Sequence, residues 1–122
     1  MTNTNINNNQ NTVKKFPTAK EATAMTMSVI EQRREEARNL AQKFLMSDVL
    51  DSITAATKME RYSTVVPITV DLIGDSFTVF CEHISAQLVE YGYPKDHFEI
   101  KVHNGSKDKR ELIIRWPNRV TA

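Results

Sequence analysis

Residues 111–116 read Glu-Leu-Ile-Ile-Arg-Trp, followed at once by Pro117. The run Leu112-Ile113-Ile114 makes this stretch a candidate strand. It is the most apolar of three candidate strands and therefore belongs in the middle of a sheet, with Pro117 ending it. Trp116 alternates with Leu112 and Ile114 and so faces the core. Immediately upstream, Phe98, Ile100 and Val102 alternate with Glu99 and Lys101. That is a second strand, joined to the first by a loop that turns at Asn104-Gly105. Further back, Tyr62, Thr64, Val66, Ile68, Val70 and Leu72 alternate with Ser63, Val65, Thr69 and Asp71. Pro67 interrupts this run and has no N–H for a ladder, so the strand lies at an edge.

The segments between fit the same plan. Asp75-Ser76 offers a helix N-cap, and Phe77, Phe80, Cys81, Ile84, Leu88 and Tyr91 follow at helical spacing. Gly92 stands where a left-handed C-cap is needed, with Pro94 beyond it. At the other end, Pro17-Thr18 opens a helix, and Glu21 completes a capping box with Thr18. Ala37, Leu40, Ala41, Phe44 and Leu45 form an apolar stripe, continued by Val49, Leu50, Ile53, Ala56 and Met59. The stretch EQRREEAR before it is charged nearly all round, with Glu31–Arg34 and Glu35–Arg38 at i+3 spacing. Such a stretch bridges solvent between packed ends. The segment is one long helix, or two helices broken near Ser47-Asp48.

The expected fold is α+β. A long N-terminal helix is followed by β-α-β-β, giving a three-stranded mixed sheet of order 1-3-2 packed on helices. The chain divides into a polar arm (1–16), a helical segment (17–60) and a small α+β domain (61–122). Six of the first twelve residues are asparagine. A segment this polar buries too little apolar surface to offset the entropy of ordering, so by itself it stays disordered.

Composition sets the functional bounds. The 122 residues hold 16 Lys and Arg against 15 Asp and Glu, a net charge of +1 that recommends no strongly charged partner. One cysteine, Cys81, excludes an intrachain disulfide, and its place on an apolar helix face suggests a buried thiol in a reducing compartment. The N-terminus lacks the charged-then-apolar pattern of a signal peptide, and no apolar run approaches the roughly 18 residues of a membrane span. His83, His97 and His103 are too scattered for a metal set, and the carboxylates form no acid–base pair. The three glycines all fall at turns, so no phosphate loop is present. No cofactor is implied. The basic residues near the C-terminus read as a solvated hairpin rim, and the order of elements matches no common nucleic-acid-binding module. What remains is the arm and the helix 18–30, which either folds back onto the domain or docks in a partner's groove or against a second copy. Lys14, Lys15, Phe16, Met25, Met27 and Ile30 are the candidate contact residues: a basic, aromatic lead-in and flexible apolar groups beyond the charged stretch.

Three short motifs carry a family resemblance: Thr18-Ala19-Lys20-Glu21-Ala22 opening a helix, Leu88-Val89-Glu90-Tyr91-Gly92-Tyr93 closing one, and Ile114-Arg115-Trp116 ending the last strand. Across about residues 18–116 the chain resembles small proteins encoded by tailed bacteriophages and prophages. The asparagine-rich arm is an addition to that pattern. The resemblance implies a non-enzymatic, virion-associated product found in the host cytoplasm and in particles, decorating the capsid or a tail component as part of an assembly with other subunits or with itself. It transfers no catalytic residue. An early phage protein that inhibits a host enzyme or defence factor by stoichiometric binding is the alternative.

Overall fold

Thr18 and Glu21 exchange hydrogen bonds as a capping box requires. The Thr18 N–H donates to Glu21 Oε1 at 2.9 Å, and the Glu21 N–H donates to Thr18 Oγ1 at 3.1 Å. Helix α1 starts from this box and runs Ala19–Phe44. The computed structural model describes residues 15–103 and 109–117. They fall into two units, one ending at Glu31 and the other starting at Gln32. The asparagine-rich stretch 1–14 and the Asn104-Gly105 turn lie outside the described residues.

In the larger unit the helix does not break at Ser47-Asp48. It passes through a π-helical turn, Leu45–Val49, and continues as α2, Leu50–Lys58. The cause is visible in the apolar stripe. Ala37, Ala41 and Phe44 are buried, and a regular helix would next bury Asp48, Ser52 and Ala55. Asp48 and Ala55 are exposed, whereas Leu45, Val49, Ile53 and Ala56, one position later, are buried or half-buried, with Ser52 half-buried beside Ile53. One extra residue in the π turn absorbs that slip and keeps the stripe on one side.

Strands β1 (Ser63–Pro67), β2 (Phe98–Val102) and β3 (Arg110–Arg115) form a sheet of order β1-β3-β2. The order is the one expected from the apolar character of residues 111–116. The expected mixed pairing is corrected, because both ladders are antiparallel. β1 and β2, joined through a helix, never touch; β3 separates them and runs against each.

Register fixes what each backbone group faces. Ile68 N–H donates to Arg110 O at 2.9 Å and Trp116 N–H to Tyr62 O at 3.0 Å, extending the β1–β3 ladder at both ends. By alternation, Arg110, Leu112, Ile114 and Trp116 turn their backbone groups to β1, while Glu111, Ile113 and Arg115 turn theirs to β2. Pro67 stands opposite Glu111, at a position whose groups point out of the sheet, so its missing N–H costs no hydrogen bond.

Helix α3, Gly74–Glu90, buries Phe80, Ile84 and Leu88. Its N-cap is Ile73 rather than Asp75, with no side-chain cap. Asp75 lies in the first turn, where its carboxylate suits the helix dipole, and it pairs with Arg34 at 2.9 Å. The C-terminus closes as a Schellman motif. Gly92 N–H donates to Val89 O at 3.0 Å, Tyr93 N–H donates to Leu88 O at 2.9 Å, and Gly92 takes φ 101°. The core joins α1, the π turn and α3 to one sheet face that carries Val66, Ile68, Phe98, Leu112 and Ile114. Trp116 packs half-buried against it. Arg110 is also on this face, only 8% exposed, its guanidinium 3.7 Å from the centre of the Phe77 ring and hydrogen-bonded to the Leu72 carbonyl.

Candidate protein-binding surfaces

The residues singled out for partner contact stand at the start of the chain's helical segment. Lys14 lies outside the described residues. Lys15 and Phe16 precede the capping box, and Phe16 is 92% exposed. Every residue from 15 to 31 is exposed, including Met25 at 62%, Met27 at 64% and Ile30 at 40%. Helix geometry does not gather these groups into one stripe. Met25 and Val29 are neighbours at i+4, and Met27 and Ile30 at i+3, but Met25 and Met27 project roughly 160° apart. The segment therefore offers two short apolar seams rather than one broad face.

Concave places occur among the described residues of the larger unit. A cleft of about 480 Å³ is lined by Arg34, Arg38, Asp75, Thr78, Val79, Glu82 and His83. Its charged lining comprises Arg34, Arg38, Asp75 and Glu82. Arg34 is engaged by Asp75, and Arg38 by Glu35 at 2.9 Å.

The second place is an apolar groove of about 310 Å³ beside the π turn. Leu45, Met46, Val49, Leu50 and Ile53 form one wall, and Leu88, Tyr91 and Tyr93 the other. Tyr91 spans the two walls: Gln42 Nε2 donates to its hydroxyl at 3.5 Å, and the hydroxyl reaches Met46 Sδ at 3.9 Å. Gln42 Oε1 is held in turn by His83 Nε2 at 2.9 Å. With no charged group in its lining, the groove suits apolar side chains rather than a polar metabolite. The third place is an open depression of about 700 Å³ around Phe77, Cys81, Ser85 and Val89.

Burial pushes the Cys81 thiol up to about 11, with Arg110 pulling the other way and Glu82 adding slightly to the rise. At neutral pH it is a protonated thiol, the weak form for attack. His83 is occupied by Gln42, and His103 Nε2 lies 3.0 Å from Glu111 Oε1. Among the described residues no group of three or more His, Cys, Asp or Glu is placed to hold a metal ion. No helix among them is long and apolar enough to cross a membrane.

No family model, curated protein or solved structure matches the chain. The sequence reading missed the groove beside the π turn. Its signal was the one-residue slip of the apolar stripe after Phe44, which leaves Met46 and Leu50 exposed beside Tyr91.

Proposed function

We propose that this chain is a non-enzymatic protein that binds other protein subunits through its N-terminal arm and first helix. The observation that carries the reading is the start of α1. A properly capped helix whose residues are all exposed from 19 to 31 nevertheless carries Met25, Met27, Val29 and Ile30. Exposed apolar groups on a preformed helix are what helix-in-groove recognition uses, and methionine adapts to the groove it meets. The resemblance to small tailed-phage proteins supports a virion subunit as the partner, at the capsid or a tail component, with the host cytoplasm as the place of synthesis.

The test is quantitative mass spectrometry of purified particles, with copy number set against the major capsid protein. Many copies per particle, lost when residues 1–31 are deleted, is the expected result. Absence from clean particles overturns the virion role and turns attention to a stoichiometric inhibitor of a host protein. Normal incorporation of the deleted chain overturns the part given to the arm and helix.

A further inference from the structure

The two edges of the sheet are not alike. On β1 the outward-facing backbone positions are Ser63, Val65 and Pro67, so the edge lacks a donor at its end. On β2 the alternation assigns Glu99 and Lys101 to the β3 ladder, and the N–H and C=O groups of Phe98, Ile100 and Val102 point away from the sheet. All three donors are present, and no strand among the described residues pairs with them.

The sequence of this edge is complementary to itself. When Phe98-Glu99-Ile100-Lys101-Val102 is laid antiparallel on a second copy about a two-fold axis at Ile100, Ile100 meets Ile100 and Phe98 meets Val102. Glu99 meets Lys101 twice. The outward backbone groups at Phe98, Ile100 and Val102 fall into hydrogen-bonded pairs in this register. Glu99 and Lys101 fall into the non-hydrogen-bonded pairs, where side chains approach most closely. Within one copy Lys101 already stands opposite Glu111, so each lysine would sit between two carboxylates. On the other face Val102, 43% exposed, would be covered by the partner's Phe98 end, extending the core row across the axis. A lysine on an edge strand ordinarily keeps other strands away. Here the one register that satisfies every outward donor also supplies the lysine with its counter-charge.

We propose that the β2 edge pairs with the same edge of a second copy, making a two-fold dimer with one continuous six-stranded antiparallel sheet. The interface is isologous, as a closed homodimer requires. This proposal does not depend on the helix surface described above.

The test uses sedimentation velocity on the full chain, two substituted forms of it and their mixture. Wild type is expected to show a monomer–dimer equilibrium in the micromolar range, since the paired strands are only five residues long. K101E and E99K each turn two attractive pairs into two repulsive ones, at roughly fivefold a pair, and so weaken the dimer about 25-fold. A mixture of the K101E and E99K chains restores both pairs in the heterodimer and regains wild-type affinity. Circular dichroism establishes that each chain is folded. A wild-type chain that stays monomeric at about 100 µM overturns the proposal. So does a dimer indifferent to both substitutions, or a mixture that associates no better than its components.

Discussion

Replacing Thr18 with alanine isolates one device on which the proposed binding helix depends. The substitution removes the hydroxyl that accepts from the Glu21 N–H and uncouples the Glu21 carboxylate from the Thr18 N–H. An N-cap of this kind contributes about 1 kcal/mol, which at 25 °C is a roughly fivefold change in the population of the frayed first turn. The first intrahelical bond, Ala22 N–H to Thr18 O at 2.9 Å, is the one most weakened. Because residues 15–31 are exposed, fraying here exposes no core, so the loss is expected to stay local. Hydrogen exchange of the Glu21, Ala22 and Thr23 amides should quicken roughly fivefold, while the urea midpoint stays within about 0.2 kcal/mol of wild type. Glu21→Gln, which preserves the box, should show neither change. A midpoint shift worth the full ~1 kcal/mol would contradict local fraying, because the first turn would then unfold only with the body of the protein. Unchanged exchange would refute it too, because the box would then hold nothing. Partner binding through this helix would lose at most about fivefold, the factor by which the competent population falls.

Two further outcomes test other parts of the structure. Deleting Met46 should convert the π turn to regular α-helix while keeping the apolar stripe aligned, at a cost within about 1 kcal/mol by chemical denaturation; adding an alanine after Met46 turns the α2 stripe by roughly 100° and should cost more than about 3 kcal/mol. Cys81 should resist alkylation at neutral pH in the folded chain and react readily in the unfolded one. Its folded pKa of about 11 lies above the ordinary 9.0, so the native state keeps a proton that the unfolded state gives up. Its contribution is therefore intact below pH 9 and is lost as pH climbs from 9 toward 11; a Cys81→Ala chain with the same alkaline dependence would count against this.

The sheet order was readable because the physics acts locally and in one direction. Leu112-Ile113-Ile114 make one strand more apolar than the other two, which favours the centre of the sheet, and a proline at 67 favours an edge. Thr18 with Glu21, and Gly92 with Pro94, are likewise backbone requirements written in single residues. Asp75 misled because the same carboxylate serves a cap or a first-turn ion pair, and the choice rests on Arg34, 41 residues away. The π turn lay between these cases. Its cause, a stripe that slips by one residue after Phe44, is in the sequence, but the same slip also reads as a break. Only the burial of both Leu45 and Val49 separates the two.

Binding surfaces are harder to read for a different reason. A catalytic site needs particular residue types at particular spacings, whereas a surface that meets another protein needs only shape and the absence of a competing internal partner. Met46, Leu50 and Tyr91 look in sequence like ordinary residues of an amphipathic helix; they become a groove only once two helices set the distance between its walls. The β2 edge is the exception. There the relevant pattern is a five-residue palindrome of character, apolar-acidic-apolar-basic-apolar, and antiparallel pairing reverses one copy so that acid meets base. Such a pattern is legible in sequence, but it acquires meaning only when topology leaves that strand at an edge with its donors outward. The central position of β3 supplies this condition, so the residues that decide the fold also decide which edge is left open.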